Sequence, residues 1–270
     1  MKVSVIIPTM AKTKPYLKLC VESLRATVDW DIIVVSNGDT KENYDDIHGI
    51  TVRLHNYKQG QCMAVNAGAQ VVNNKTDYLF IANDDMYFAP GWDFSLSFNY
   101  PCFSPNLAEP VNNNGSAAPF LKCDGGFTLD EFNKRVVDAF IAEYEPEPDT
   151  PGFNFPVFIR KDVWDTIGGY DTKYDPWGSN SDTDLQTKIE LYGIQPMRLR
   201  DVLVYHFSNK SGTFDGTHQE EWQKNFDYYR EKWGFTRDDE PKPDTWMATN
   251  MVNKEMNKYH PTWEGKYVKD

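Results

Sequence analysis

What the chain lacks narrows its possibilities first. Its four cysteines, Cys20, Cys62, Cys102 and Cys123, include no C-x-x-C pair. Neither a zinc ribbon nor a disulfide framework is encoded, and the scatter suits reduced thiols in a cytoplasmic compartment. No window approaches the roughly 18 uninterrupted apolar residues of a membrane span. The opening MKVSVIIPTM has its apolar run cut by Pro8, unlike a secretory leader. Basic residues are scarce: 28 Lys and Arg stand against 40 Asp and Glu, a net charge of -12. That balance disfavours nucleic acid and anionic membranes as partners, because both need clustered cations. Two phosphate-binding signatures are also missing. No G-x-G-x-x-G follows the first apolar run and no G-x-x-x-x-G-K-[ST] occurs, so a nucleotide would have to be held by side chains at strand ends.

What is present describes a globular α/β chain. With 270 residues and 40% hydrophobic content, it can bury one large core or two halves sharing a sheet. Val3–Ile7, Asp31–Val35, Ile50–Leu54 and Tyr78–Ala82 are short apolar runs of the kind found in buried strands. Between them, Leu17, Cys20, Val21 and Leu24, then Cys62, Val65, Ala69 and Val72, recur at helical spacing. The alternation predicts a parallel, three-layer sheet with right-handed crossovers. Residues 99–126, rich in Pro, Asn and Gly, read as a long loop. Thr128 and Glu131 predict a capping box ahead of a helix bearing Phe132, Val136, Val137, Phe140, Ile141 and Tyr144. Phe153–Ile159 reads as a strand and Asp162–Ile167 as a helix stopped at Gly168-Gly169. Ser181 and Asp184 predict a second capping box, with Ser181 as N-cap, Asp182 free in the first turn and Asp184 only complementing the dipole. Asp201–His206 alternates as a strand. Trp222, Phe226, Tyr229 and Trp233 stripe a last helix, and the tail from Asp238 is expected to wrap the surface.

The chemistry centres on Asp77–Met86, DYLFIANDDM. Two carboxylates, Asp84 and Asp85, follow a buried strand at its carboxyl end, where open α/β sheets bind ligands. Paired oxygens there suit a hard divalent cation, although Asn-Asp pairs also close ordinary turns. A lone histidine at a strand end, such as His206, is more often structural than functional.

Several pieces in order carry a resemblance. They are Pro8-Thr9, Ser36-Asn37-Gly38, Gly60 followed by Asn66-Ala67-Gly68, the D-x-D-like Asn83-Asp84-Asp85, Phe158-Ile159-Arg160 leading into Gly168-Gly169-Tyr170-Asp171, Asp182-Thr183-Asp184-Leu185 against E-D-x-D-L, and Val204-Tyr205-His206. From Val3 to Gly234 the chain resembles a family 2 glycosyltransferase of the GT-A fold. The resemblance implies a mainly parallel central sheet flanked by helices, with a Rossmann-like nucleotide half. It implies a nucleotide-sugar-binding half at 1–100, an acceptor-binding and catalytic half of the same domain at 101–206, and a C-terminal helix and tail at 207–270. It further implies inverting transfer of a sugar from a nucleotide sugar to a saccharide or other hydroxyl acceptor.

By the same resemblance, Asp85 and His206 ligate Mn2+ or Mg2+, with the imidazole favouring Mn2+. Asp182 becomes the general base. Pro8, Thr9, Ser36, Asn37, Asp39, Gly60, Asn66, Asn83 and Asp84 surround the nucleotide sugar. Trp177 and Gly178 face the acceptor, with Trp177 either a plate for a sugar ring or part of the core. Asn83 replaces the first D-x-D aspartate, Ser36-Asn37 stand where many members carry aspartates, and Ser181 replaces the glutamate before the base. Amides and hydroxyls at the strand ends suit a pyrimidine edge, so a uridine or thymidine diphosphate sugar is expected. Competing readings are a sugar-1-phosphate nucleotidyltransferase, which the glycine-free turn Thr9–Thr13 opposes, a non-catalytic binding module on the same scaffold, and a transferase acting on modified DNA bases, which the charge opposes.

Overall fold

A computed structural model describes residues 1–38, 40–55, 60–111, 120–210 and 217–233. The expectations for Asp39, for most of the stretch 208–216 and for the tail from Asp238 lie outside these residues. In chain order the elements are β1 (Val3–Thr9), α1 (Lys14–Arg25), β2 (Asp31–Asn37), β3 (Thr51–His55), α2 (Gln61–Val71), β4 (Tyr78–Ile81) and β5 (Met86–Tyr87). Then follow β6 (Cys102–Pro110), β7 (Leu121–Cys123), α3 (Lys134–Ala142), β8 (Thr150–Pro151), β9 (Val157–Arg160), α4 (Lys161–Ile167), α5 (Ser181–Leu191), β10 (Met197–His206) and α6 (Gln219–Trp233). No helix among the described residues is long and apolar enough to cross a membrane.

The apolar runs are continuous because both faces of the sheet are covered. On one face Val3, Val5 and Ile7 of β1 pack with Leu17, Cys20, Val21 and Leu24 of α1. On the other, Ile6, Ile33 and Val35 pack with Cys62, Val65 and Ala69 of α2. Pro15 sits in the first turn of α1, where its missing N–H costs nothing. All four cysteines are buried and free.

The strands lie in the order β3-β2-β1-β4-β9-β6-β10-β5, with β7 beside β6 and β8 beside β10. The sheet is mainly parallel, as expected: β1 to β4 pair in parallel, as do β6 with β7 and with β10. The central exception is β9, which runs antiparallel to both β4 and β6. Residues 150–160 travel in one direction across the sheet, pairing with β10 at Pro151 and with β6 at Ile159. No crossover returns that segment to the parallel edge. Phe80, Phe158 and Phe103 fall on one rung of β4, β9 and β6 and stack with centroids 4.1 and 4.7 Å apart. Each such pair adds about 0.5–1.5 kcal/mol beyond its burial.

The largest correction concerns residues 99–126. They contain a nine-residue central strand, β6, buried along its whole length. β9 covers only Cys102 and Phe103 of it. Beyond that point Asn154 substitutes for a strand: its Nδ2 donates to the Pro105 carbonyl (3.0 Å), and Ser104 Oγ donates to the Asn154 carbonyl (2.6 Å). Proline and asparagine therefore fit inside this sheet, where composition argues for a loop.

Both capping boxes also differ. Glu131 does reach back to the Thr128 N–H at 3.1 Å, but it closes a turn. Asn133, whose side chain accepts from the Val136 N–H, caps α3. Asn180, in the left-handed region at φ 63°, occupies the N-cap position of α5, and Ser181 Oγ turns back to donate to the Gly178 carbonyl. Asp184 is wholly buried. It accepts from Trp233 Nε1 (2.7 Å) and Tyr174 OH (3.2 Å) and pairs with Lys232 (2.8 Å) and Lys188 (3.6 Å). Far from a surface complement to the dipole, it ties α5 to α6. The face of α6 turned inward is Asn225, Tyr229 and Trp233, with Trp222 and Phe226 only partly covered.

Candidate active site

The carboxyl end of β4 delivers Asn83, Asp84 and Asp85 into a layer of polar side chains from β1, β6 and β10. Asp84 is 7% exposed. Its Oδ2 accepts from Thr9 Oγ1 at 2.6 Å and from Thr13 Oγ1. Burial, then the neighbouring Asp85 charge, pushes its carboxyl up to about 7. Thr9 is thus committed to Asp84 rather than turned to a base. Thr13 joins the site unannounced, because a threonine in a 3-10 turn carries no sequence signal of its own.

Asp85 is held from two sides. Its Oδ1 lies 3.2 Å from His206 Nε2, and its Oδ2 accepts from the Lys210 N–H at 3.2 Å. Burial raises its pKa, but the His206 charge and these hydrogen bonds outweigh it and hold the carboxyl below the usual range. His206 also meets Glu109, with Nδ1 3.0 Å from Oε1. Burial works to lower its pKa. Asp85 and then Glu109 overcome that and lift it to about 10. The ring lies between the carboxyl groups of Asp85 and Glu109, both of which favour its protonated form. Asn83 Nδ2 lies 3.5 Å from the same Nε2. Glu109 gives no signal in the sequence, because its strand reads as a loop.

A second group assembles at the start of α2, beside the end of β2. Asn37 Oδ1 accepts from the Gly60 N–H at 3.3 Å. Gly60 sits at φ 112°, and a Cβ there would collide with the Asp175 carboxylate. Asp175 accepts from the N–H groups of Cys62 (3.0 Å) and Met63 (2.8 Å), so it occupies the helix N-terminus that a phosphate could otherwise use. Asn66 spends its amide on Tyr170, donating to its carbonyl and accepting from its N–H, both at 2.9 Å. Tyr170 in turn donates its hydroxyl to Asp182 Oδ1 at 3.0 Å. Burial raises the Asp182 carboxyl to about 6, with the bonds from Tyr170 and Ser181 pulling the other way. Ser36 is fully buried and aligned with Thr9 across β1 and β2, while Pro8 is half-buried. Trp177 stacks on His218 with ring centroids 3.3 Å apart, next to the left-handed Gly178.

The sequence-predicted residues therefore form two groups on one sheet edge. Thr9, Asn83, Asp84, Asp85 and His206 meet directly; Asn37, Gly60, Asn66 and Asp182 are linked through Asp175 and Tyr170. Among the described residues Asp182 bonds to Tyr170 and Ser181, and neither of these is hydrogen-bonded to Asp85.

Residues 4–96, which span β1 to the acidic pair, match glycosyl transferase family 2. The match covers about a third of the chain, so this segment is similar to family 2 glycosyl transferases. No curated protein matches the chain. Among solved structures it is similar to one described as the crystal structure of GalNAc-T7 with UDP, GalNAc and Mn2+, at 15% identity and a TM-score of 0.56. That likeness covers 98% of this chain and 56% of the other, so the chain spans little more than half of it. The shared architecture is the GT-A fold, reaching well past the family 2 segment.

Among the described residues no three His, Cys, Asp or Glu side chains converge as a ready-made cation cage. Asp85 and His206 do face one another, with Oδ1 3.2 Å from Nε2. One carboxylate and one imidazole fit a cation whose remaining positions are filled by a diphosphate and water. The donor set fits Mn2+ better than Mg2+.

Proposed function

We propose that the chain is an inverting glycosyltransferase that moves a sugar from a uridine or thymidine diphosphate sugar to an acceptor hydroxyl. The observation that carries this reading is the meeting of Asp85, within the segment that matches family 2, with His206 at the end of β10. Asp85 and His206 would hold the divalent cation, which would draw charge from the departing diphosphate. Asp84, fixed by two hydroxyls, sets the position of Asp85 beside it. Asn37 and Ser36 mark the nucleotide end. Asp182 takes the proton from the acceptor hydroxyl as it attacks the sugar face opposite the leaving group. Trp177 and Gly178 border the acceptor.

Thermal denaturation with a uridine diphosphate sugar tests the donor side. Ligand at about 100 times its dissociation constant stabilises by roughly 2.7 kcal/mol. With Mn2+ the melting temperature should rise, with a chelator it should not, and a guanosine diphosphate sugar should do less. Asp85→Ala should erase the Mn2+-dependent part. A mutant that keeps the full shift would overturn the metal assignment.

The carboxyl of Asp182, raised to about 6, sets the pH profile. A base must be ionised to accept a proton, so transfer should rise with pH through about 6 and level above it. Tyr170 donates to the ionised form and so lowers this pKa. Tyr170→Phe should therefore shift the acid limb to higher pH. An acid limb that stays in place in Tyr170→Phe contradicts the role given to Asp182.

A further inference from the structure

We propose that Glu109 is a positioning residue that fixes the ring of His206 for cation binding, an assignment that rests on reading Asp85 and His206 as ligands. The sheet itself lays the three groups side by side. Tyr205 of β10 is in register with Ala108 of β6, so the next rung sets His206 beside Glu109. On its other flank His206 pairs with Met86 of β5, the residue after Asp85. The ring therefore spans two strands, with Nδ1 3.0 Å from Glu109 Oε1 and Nε2 3.2 Å from Asp85 Oδ1.

An imidazole that binds a cation through Nε2 must keep its one proton on Nδ1. Only an acceptor facing Nδ1 secures that tautomer and stops the ring from turning over. Glu109 is that acceptor. It is 2% exposed, on a strand whose nine residues are all buried. A carboxylate in such a place is costly unless compensated. Its compensation is the His206 N–H on Oε1 and the Lys122 ammonium, 4.0 Å from Oε2 on the adjacent β7. A glutamine would keep an acceptor oxygen but not the charge; a leucine would keep neither.

Mn2+ binding to the full chain, in the presence of UDP and read by the electron paramagnetic resonance of the free ion, tests the assignment without turnover. Glu109→Leu should weaken Mn2+ by about 10- to 100-fold, and Glu109→Gln by less. If Glu109 acts through the ring, its substitution should add nothing once the ring is gone. The double variant Glu109→Leu with His206→Ala should then bind Mn2+ as His206→Ala alone does. Wild-type affinity in Glu109→Leu overturns the proposal. So does an equal loss with and without His206, which would make Glu109 a support of the strand. Should the leucine variant not fold, the same cycle with Glu109→Gln gives the answer. If Asp85→Ala leaves Mn2+ binding unchanged, the metal reading has failed, and this assignment falls with it; loss in Asp85→Ala beside an unaffected Glu109→Leu refutes Glu109 alone.

Discussion

Asp182→Asn should leave donor affinity nearly unchanged while transfer to an acceptor falls about 10²- to 10⁴-fold. The substitution keeps the size of the side chain and an oxygen for the Tyr170 hydroxyl, which now donates at 3.0 Å. It removes only the basicity. The surroundings of Asp182 suit that role. Burial raises its carboxyl to about 6, near the working pH of a general base, whereas a first-turn position alone would have favoured a lower value. Titrating a uridine diphosphate sugar with Mn2+ gives donor affinity, and single-turnover transfer gives the chemical step. Transfer near the wild-type rate would place the base elsewhere. Asp124, exposed beside Phe127 and Glu131 in a cavity of about 280 Å3 at the carboxyl ends of β6 and β7, would then be the next residue to replace. Loss of donor binding would move Asp182 into the donor site.

Asp184→Ala should be the most destabilising single change in α5, costing about 3–5 kcal/mol. Two carboxylates, Asp184 and Asp171, balance two ammonium groups, Lys188 and Lys232. Removing Asp184 takes a buried carboxylate away from Lys188 and Lys232, whose side chains are 7% and 6% exposed. It also removes the carboxylate oxygen that accepts from Trp233 Nε1 at 2.7 Å. For a chain of this size that corresponds to a fall in melting temperature of roughly 6–20 °C. Urea denaturation followed by tryptophan fluorescence would measure it, since Trp233 reports the docking of α6. A change below about 1 kcal/mol would show that the pairs are solvated and contribute little. Asp184→Asn is consequently not a silent control for Asp182→Asn; Asp165, exposed on α4, is a better one.

The contrast between these neighbouring aspartates shows how far the sequence can be read. The parallel strands at the start are legible because their apolar runs are short, pure and bounded by turn residues. The acidic pair is legible because it breaks such a run. The role of Asp184 is not, because its burial depends on α6, which comes much later in the chain. Asp184 and its partner Trp233 are 49 residues apart, a separation that helical periodicity within α5 cannot reveal. β6 is hidden for a related reason. Its proline and asparagine are tolerated because Asn154, distant in sequence, completes the hydrogen bonding that composition alone marks as absent. Glu109 is hidden along with its strand, although the register of β6 against β10 is what brings it to His206. The helix starts move as well. Asn133 and Asn180 take the positions expected of Thr128 and Ser181, since several polar residues compete near each start and only the final backbone path selects one.

The antiparallel insertion of β9 has a consequence for the order in which the chain is made. β4 acquires β1 as a neighbour as soon as it leaves the ribosome, but its other flank is covered only by β9. From Ile81 to Val157 is 157 - 81 = 76 residues. At about 5–20 residues per second, that flank waits roughly 4–15 s for its partner during synthesis. Throughout that interval the nascent chain displays Tyr78, Leu79, Phe80 and Ile81, all buried in the finished fold, along an unpaired strand edge. The segment that carries the acidic pair is thus a place for a chaperone to hold, and Phe158, arriving last between Phe80 and Phe103, closes it.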